Sequence, residues 1–176
     1  MKRAIAFLVL LLASGIVSCD RPQAGSTIVL IVRHAEKASD AEDSPLTEAG
    51  AQRAQALVRV AGDAGVSAIY GTQFKRNRET AKPLSDRLGI AVTEVPVNLQ
   101  NPGDYGKMLA GNILEKHSGQ TVVVVGHGNT IGSIVEGLTG RAASLGDIQY
   151  SDFIIVTIHP AGGARVIRAN YGLSGN

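Results

Sequence analysis

The chain has 176 residues, of which 44% are hydrophobic and 18% charged, as in an ordinary globular domain rather than a disordered chain. This length suits one domain with a core of its own. Without Lys2 and Arg3, which belong to a predicted leader, 15 basic residues stand against 15 acidic ones. That balance, with no tryptophan and 4% aromatic residues, argues against a nucleic-acid partner bound through basic patches and stacked rings.

Residues 1–18 have the pattern of a secretory signal peptide. Lys2 and Arg3 precede an apolar stretch from Ala4 to Val17. The stretch is too short for a membrane-spanning helix but suits the apolar centre of such a signal. We therefore predict that the protein is exported.

The residues Ile16-Val17-Ser18-Cys19 resemble a bacterial lipobox, which implies that Cys19 is lipidated and begins the mature chain. Ordinary cleavage that leaves a free thiol is the alternative. A lone cysteine cannot form an internal disulfide. We expect residues 19–26 to comprise the lipidated cysteine and a tether, residues 27–176 to form the domain, and the protein to lie on the periplasmic side of a bacterial membrane. Asp20 resembles an inner-membrane retention signal, a rule that depends on species.

The first predicted strand is the apolar run from Ile28 to Val32, which ends in Arg33 and His34. Such a run is typical of a strand covered on both faces, as in a parallel α/β sheet. Ligands of these sheets bind beyond the carboxyl ends of the strands. The two residues are therefore candidates for a site, although they are also what one expects where a strand meets solvent.

Helices and strands are predicted to alternate along the rest of the chain. The predicted helices lie at 47–61, 73–88, 105–117 and 131–138, and Pro83 either begins a new helix or kinks the second one. The predicted strands lie at 66–70, 90–95, 121–125, 153–158 and 165–169, the last two forming a hairpin at the sheet edge. The alternation predicts a three-layer α/β fold, an open and mostly parallel sheet with helices on both faces.

A second histidine, His127, follows the strand at 121–125. Because parallel strands that precede helices point the same way, we expect His34 and His127 on one rim of the sheet. Gly126 and Gly128 would let backbone amides approach a ligand closely, and a helix begins just beyond them. The pattern predicts an anion site, and the planar donors of Arg33 suit phosphate oxygens.

Four segments in this order, Arg33–Lys37, Pro45–Gly50, Thr72–Ala81 and Gly126–Thr130, together resemble the histidine phosphatase superfamily, also called the phosphoglycerate mutase-like family. The resemblance implies that His34 is the nucleophile that accepts a phosphoryl group. It also implies that Arg33, Arg76 and His127 bind that group, with no metal and no cofactor. The chemistry is reasonable, because a neutral imidazole is a competent nucleophile and cationic groups stabilise charge on the transferring oxygens.

Some positions depart from the family pattern. Ala35 stands where glycine is commoner, and Thr72 where serine is. Arg78 stands where the family usually has a small or apolar residue. We therefore assign phosphate binding to Arg76 and not to Arg78.

A larger departure from the family pattern concerns the general acid. Family members close to the mutases place a glutamate in the loop after the third strand, where this chain has Leu99-Gln100-Asn101. We predict Asp104, the nearest carboxylic acid downstream, as the proton donor. The alternative is that Asp104 only precedes a helix, where negative charge is favourable. A leaving group that departs unprotonated would need no acid.

These residues predict a metal-independent phosphatase that hydrolyses small-molecule or protein-borne phosphoesters through a phosphohistidine on His34, anchored to a membrane by a lipid on Cys19. A phosphoglycerate or phosphosugar mutase is an alternative, disfavoured by export and by the altered acid loop. A non-catalytic lipoprotein that binds phosphorylated ligands is another, although the presence of both His34 and His127 weighs against it. We assign His117 and His159 structural roles.

Overall fold

The computed structural model describes residues 25–172; the predicted signal peptide, Cys19 and most of the tether lie outside these residues. The elements in chain order are β1 (Thr27–Arg33), α1 (Glu48–Ala61), β2 (Val66–Gly71), α2 (Lys75–Leu88), β3 (Val92–Glu94), α3 (Tyr105–Lys116), β4 (Thr121–Gly126), α4 (Ile131–Thr139), β5 (Asp152–Ile158) and β6 (Ala164–Asn170). Within residues 25–172, no helix combines the length and apolar character needed to cross a bilayer.

The six strands form one sheet in the order β3-β2-β4-β1-β5-β6. The first four in this order run parallel, β5 runs antiparallel to β1, and β6 pairs antiparallel with β5. The predicted α/β fold, the mostly parallel sheet and the terminal hairpin at its edge are confirmed.

The strand β1 is aliphatic from Ile28 to Val32 because both faces of the strand are packed against helices. Val29 and Ile31 point into the core on the side of α3 and α4, whereas Leu30 and Val32 point to the side of α1 and α2. The helices of each pair pack against each other. Successive side chains of a strand alternate between faces, so a strand between two helical layers has no polar face.

The structure decides between the two alternatives predicted at Pro83, and it shows a shorter third strand than predicted. The helix α2 passes through Pro83 without a break, as one element from Lys75 to Leu88. The strand β3 covers only Val92–Glu94, because Gly89 ends α2 in a left-handed conformation with φ of 68° and pairing with β2 begins at Val92. The limits of β3 thus depend on its pairing with β2 as well as on the glycine that ends α2.

Glycines let α3 and α4 approach closely. A Cβ atom on Gly106 would lie 2.6 Å from the backbone nitrogen of Ile134, and one on Gly137 would lie 2.8 Å from the Cβ of Ala110. Such distances are far shorter than carbon contacts in packed proteins. The close approach holds α4, whose first turn follows His127, firmly against its neighbour.

Gly106→Ala is therefore expected to lower the free energy of unfolding by about 1–3 kcal/mol, because the added methyl group overpacks the α3–α4 contact. Gly111→Ala is the matched control in the same helix, since a Cβ atom there meets nothing within 4 Å. That substitution should raise the free energy of unfolding by up to about 1 kcal/mol through helix propensity. Urea denaturation measures both, and equal effects of the two substitutions would contradict the packing argument.

Candidate active site

The parallel pairing of β1 with β4 places two histidines side by side. Arg33 lies opposite Gly126 in the register, so His34 and His127 are the next residues on their strands. The backbone N–H of His34 donates to the carbonyl of Gly126 at 2.9 Å, which continues the ladder by one bond. Both side chains are buried, and their ring centroids are 5.2 Å apart.

Buried polar side chains of α2 hold these strand ends. The Asn77 Nδ2 donates to the carbonyl of Val125 at 2.9 Å. The Thr80 hydroxyl accepts from the backbone N–H of Ala35 at 2.9 Å and donates to the carbonyl of Arg76 at 2.7 Å. Because buried polar groups need partners, these bonds fix both strand ends relative to the helix.

The His34 ring has a defined tautomer. Its Nδ1 lies 2.8 Å from the carbonyl oxygen of Ala35. A carbonyl only accepts, so Nδ1 carries the hydrogen and Nε2 keeps its lone pair. Burial lowers the pKa of His34 from 6.5 to about 4, and the positive charges of Arg76 and Arg33 act in the same direction. The imidazole is therefore neutral near pH 7.

The His127 ring is also neutral. Burial lowers its pKa to about 3, with further lowering from His34 and the two arginines. The Thr72 hydroxyl lies 2.9 Å from His127 Nε2, and the Phe74 ring packs edge-on against the imidazole with centroids 5.4 Å apart. These contacts fix the orientation of the ring.

Two arginines stand near the histidines without a carboxylate ion-pair partner among the described residues. The Arg33 guanidinium donates to the carbonyl of Ile148 at 2.8 Å and lies 4.2 Å from the centre of the Tyr150 ring. The Arg76 side chain is 6% exposed. Its guanidinium donates a hydrogen bond of 2.5 Å to the backbone carbonyl of Glu42 and lies over the Phe74 ring. Carbonyls and aromatic faces orient both guanidiniums while leaving their charge largely available.

A cavity of about 270 Å³ brings most of the predicted site residues together. Its lining residues are Arg33, His34, Lys37, Arg76, Leu99, His127, Gly128 and Asn129. They include three cationic side chains and no carboxylate, so the cavity suits an anion. This cavity, which we call the phosphate pocket, lies at the carboxyl ends of β1 and β4.

The structure does not bring Asp104 into the phosphate pocket. Asp104 is exposed immediately before α3, and its side chain makes no capping hydrogen bond. Glu36 is the carboxylate nearest to His34 in sequence. It forms an ion pair of 2.7 Å with Arg53, and both of its oxygens accept hydrogen bonds from that guanidinium. The assignment of Asp104 as proton donor stays a prediction, and neither Asp104 nor Glu36 lines the phosphate pocket.

The other two histidines lie away from the pocket. The His117 ring bonds to the Tyr70 hydroxyl and to Gln120 at the end of α3, and His159 lies 3.2 Å from the Ser26 hydroxyl. Both rings thus have partners near the amino ends of the parallel strands.

Tyr150 is a site residue that the sequence reasoning missed. Its ring lies 5.8 Å from that of His34 as well as over Arg33. The predicted final hairpin could have indicated the position of Tyr150. Its first strand, β5, pairs with β1 in antiparallel register, with Val32 opposite Phe153. That pairing brings the loop before β5 to the same rim as the end of β1. The loop has no periodic pattern of its own.

Within residues 25–172, no group of three or more histidine, cysteine or acidic side chains is arranged to hold a metal ion. The absence of a metal or cofactor requirement stays a prediction, which a chelator tests.

A family model matches part of the chain. Residues 29–99 match the model of the histidine phosphatase superfamily (branch 1). No curated protein sequence matches the chain.

Solved structures share the fold. Mycobacterial glucosyl-3-phosphoglycerate phosphatase Rv2419c has a TM-score of 0.65 and 16% identity over 85% of this chain and 100% of its own. The protein histidine phosphatase SixA, complexed with tungstate, has a TM-score of 0.63 and 20% identity over 81% of this chain and 96% of its own. YhfR of Bacillus stearothermophilus has a TM-score of 0.64 and 19% identity over 80% of this chain and 95% of its own.

The family model covers β1 with Arg33 and His34 as well as the α2 segment with Arg76, and the shared fold covers most of the chain. Residues 29–99 thus resemble the histidine phosphatase superfamily (branch 1), and the likeness to the solved structures shows that the chain shares their fold.

Proposed function

We propose that the protein is a phosphatase that hydrolyses phosphomonoesters through a phosphohistidine on His34. The observation that carries the proposal is the neutral His34, whose Nε2 has a free lone pair in a pocket that also contains Arg33, Arg76 and His127. An uncharged imidazole nitrogen attacks phosphorus directly, without a preceding proton transfer.

The reaction follows in two steps. His34 Nε2 forms a bond to phosphorus while the bond from phosphorus to the ester oxygen breaks, and the alcohol leaves with a proton from solvent. Water then attacks the phosphohistidine and releases inorganic phosphate and free His34. In both steps charge spreads over the three equatorial oxygens, where the guanidiniums of Arg33 and Arg76 stabilise it. His127, oriented by Thr72, completes the binding of these oxygens.

Structures with the same fold support this proposal. SixA was solved with tungstate and Rv2419c with inorganic phosphate, both of them oxyanions. Because Asp104 does not line the pocket, the proposed mechanism takes the leaving-group proton from solvent. The proposed substrates are small or protein-borne phosphoesters, which a pocket at the protein surface can accept.

We also propose that the protein is a lipoprotein on the periplasmic side of a bacterial membrane. The support is the sequence alone, namely the signal-like residues 1–18 and the lipobox-like segment that ends at Cys19. The strand β1 begins at Thr27, so only a short tether separates the lipidated cysteine from the domain.

The chain from Asp20 onward should hydrolyse an aryl phosphate in the presence of a chelator, and His34→Ala should lower kcat about a thousandfold or more. Acid quenching during turnover should trap an acid-labile phosphoenzyme in the wild type only. An inactive wild type without phosphoenzyme would instead indicate the binding lipoprotein.

Two neighbouring arginines supply a matched control for that assay. Arg76→Ala should weaken competitive inhibition by inorganic phosphate roughly a hundredfold, because a buried guanidinium is lost from the pocket. Arg78→Ala should leave it nearly unchanged, since Arg78 is exposed and contacts the carbonyl of Gln73 and the carboxylate of Glu94. The reverse result would mean that Arg78 binds the phosphate.

Stability should depend on pH through His34. The folded protein keeps this histidine neutral down to its pKa of about 4, whereas the unfolded chain takes up a proton below about 6.5. Lowering the pH through this range therefore favours unfolding. Between pH 7 and 4.5, urea denaturation should show a fall in the free energy of unfolding that is roughly 2 kcal/mol larger in the wild type than in His34→Asn. Equal falls would show that burial does not lower this pKa.

The anchor is tested by mass spectrometry of the mature amino terminus from membranes. We expect a diacylated or triacylated Cys19, because the lipobox directs acylation and cleavage at that cysteine. Cys19→Ala, expressed in parallel, should leave an unmodified protein. An unmodified amino terminus in the wild type would place the protein free in the exported compartment.

A further inference from the structure

A second and larger cavity adjoins the phosphate pocket. It has a volume of about 550 Å³ and shares Lys37, Arg76 and Leu99 with that pocket. This volume falls in the range of sites for small organic ligands. Because the two cavities share a wall, an ester whose phosphate lies beside His34 extends its alcohol portion into the larger one, which we call the alcohol subsite.

The charge of the alcohol subsite differs from that of the phosphate pocket. Lys37, which also lines the phosphate pocket, forms an ion pair of 2.7 Å with Asp40. Glu42 also lines the subsite, and within residues 25–172 it forms no ion pair. Its backbone carbonyl, not its carboxylate, holds Arg76. Once Lys37 and Asp40 offset each other, Glu42 is the carboxylate of the subsite that has no ion-pair partner among the described residues. Its cationic neighbour Arg76 is shared with the phosphate pocket, where the phosphoryl group offsets it.

Another part of the subsite wall is polar and uncharged. Asn98 and Gln100 line it, together with the apolar side chains of Val97 and Leu99. The Asn98 Oδ1 accepts from the backbone N–H of Gln100 at 3.0 Å. The side-chain amides of this part of the wall can donate hydrogen bonds to hydroxyl groups and accept hydrogen bonds from them. Among the described residues, this part of the wall has no lysine or arginine that could pair with a carboxylate of a substrate.

We infer that the alcohol subsite selects phosphomonoesters whose alcohol carries no negative charge, that is, esters of polyhydroxyl or amino alcohols. This inference rests on the proposed phosphatase function and specifies its substrate class. The phosphate pocket attracts the dianionic phosphoryl group, and Glu42 repels a further anion on the leaving group. A second negative charge on the substrate should therefore weaken binding about tenfold at low salt, and less at high salt.

The test uses three esters of similar size with different charge on the alcohol: glycerol 3-phosphate, O-phosphoethanolamine and 3-phosphoglycerate. Calorimetry with the full-length His34→Ala protein measures binding without turnover. We expect 3-phosphoglycerate to bind about tenfold more weakly than the other two esters. Glu42→Gln, combined with His34→Ala, should reduce this difference in affinity. Asp40→Asn should reduce it as well, because the substitution frees the charge of Lys37.

Glu115→Gln is the matched control, because it removes an exposed carboxylate from the far end of α3 and should leave the ratio of affinities unchanged. Binding of 3-phosphoglycerate as tight as that of glycerol 3-phosphate would overturn the inference, as would a preference that Glu42→Gln does not alter, or no binding of any ester. Aryl phosphate turnover by the wild type separates the two failures: turnover without charge preference rejects only the inference, whereas no turnover and no phosphoenzyme rejects the proposed function.

Discussion

The site depends on one constraint, the parallel register of β1 and β4. Because Arg33 pairs with Gly126, the first residues beyond the pairing are His34 and His127. A slip of one residue would turn the side chains of a whole strand to the other face of the sheet. Two helical layers oppose that slip, since both faces of these strands are packed in the core. The packing of aliphatic side chains thus fixes the distance between two reactive rings.

The helix α2 links the core to the site. Its apolar face includes the fully buried Leu84, while Asn77 and Thr80 satisfy backbone groups at the ends of β1 and β4. Arg76 stands one turn before Thr80 and shares its hydrogen-bond network. When this helix docks on the sheet, it therefore brings Arg76 to the site and braces the strand that bears His34.

Acidic residues next to a cationic pocket have a structural reason to be there. The loop between β1 and α1 carries Asp43, whose carboxylate accepts from the backbone N–H of Lys75 at the start of α2. Negative charge is favourable at this positive end of a helix. The neighbouring Glu42 holds Arg76 through its carbonyl and leaves its carboxylate for the alcohol subsite. The same loop thus orders the Arg76 side chain and places a carboxylate near it.

The order of the elements can be predicted from the amino-acid sequence, as can the two strands that end in His34 and His127 and the helix that bears Arg76. These features are local, because apolar periodicity and strand-end residues are visible within short segments. The tertiary structure was needed to show that Asp104 does not line the phosphate pocket and that the Tyr150 ring lies against Arg33 and His34. Both stand in loops without periodic pattern, and a loop takes its place from the elements it joins. The antiparallel pairing of β5 with β1, a contact between distant segments, brings Tyr150 to His34.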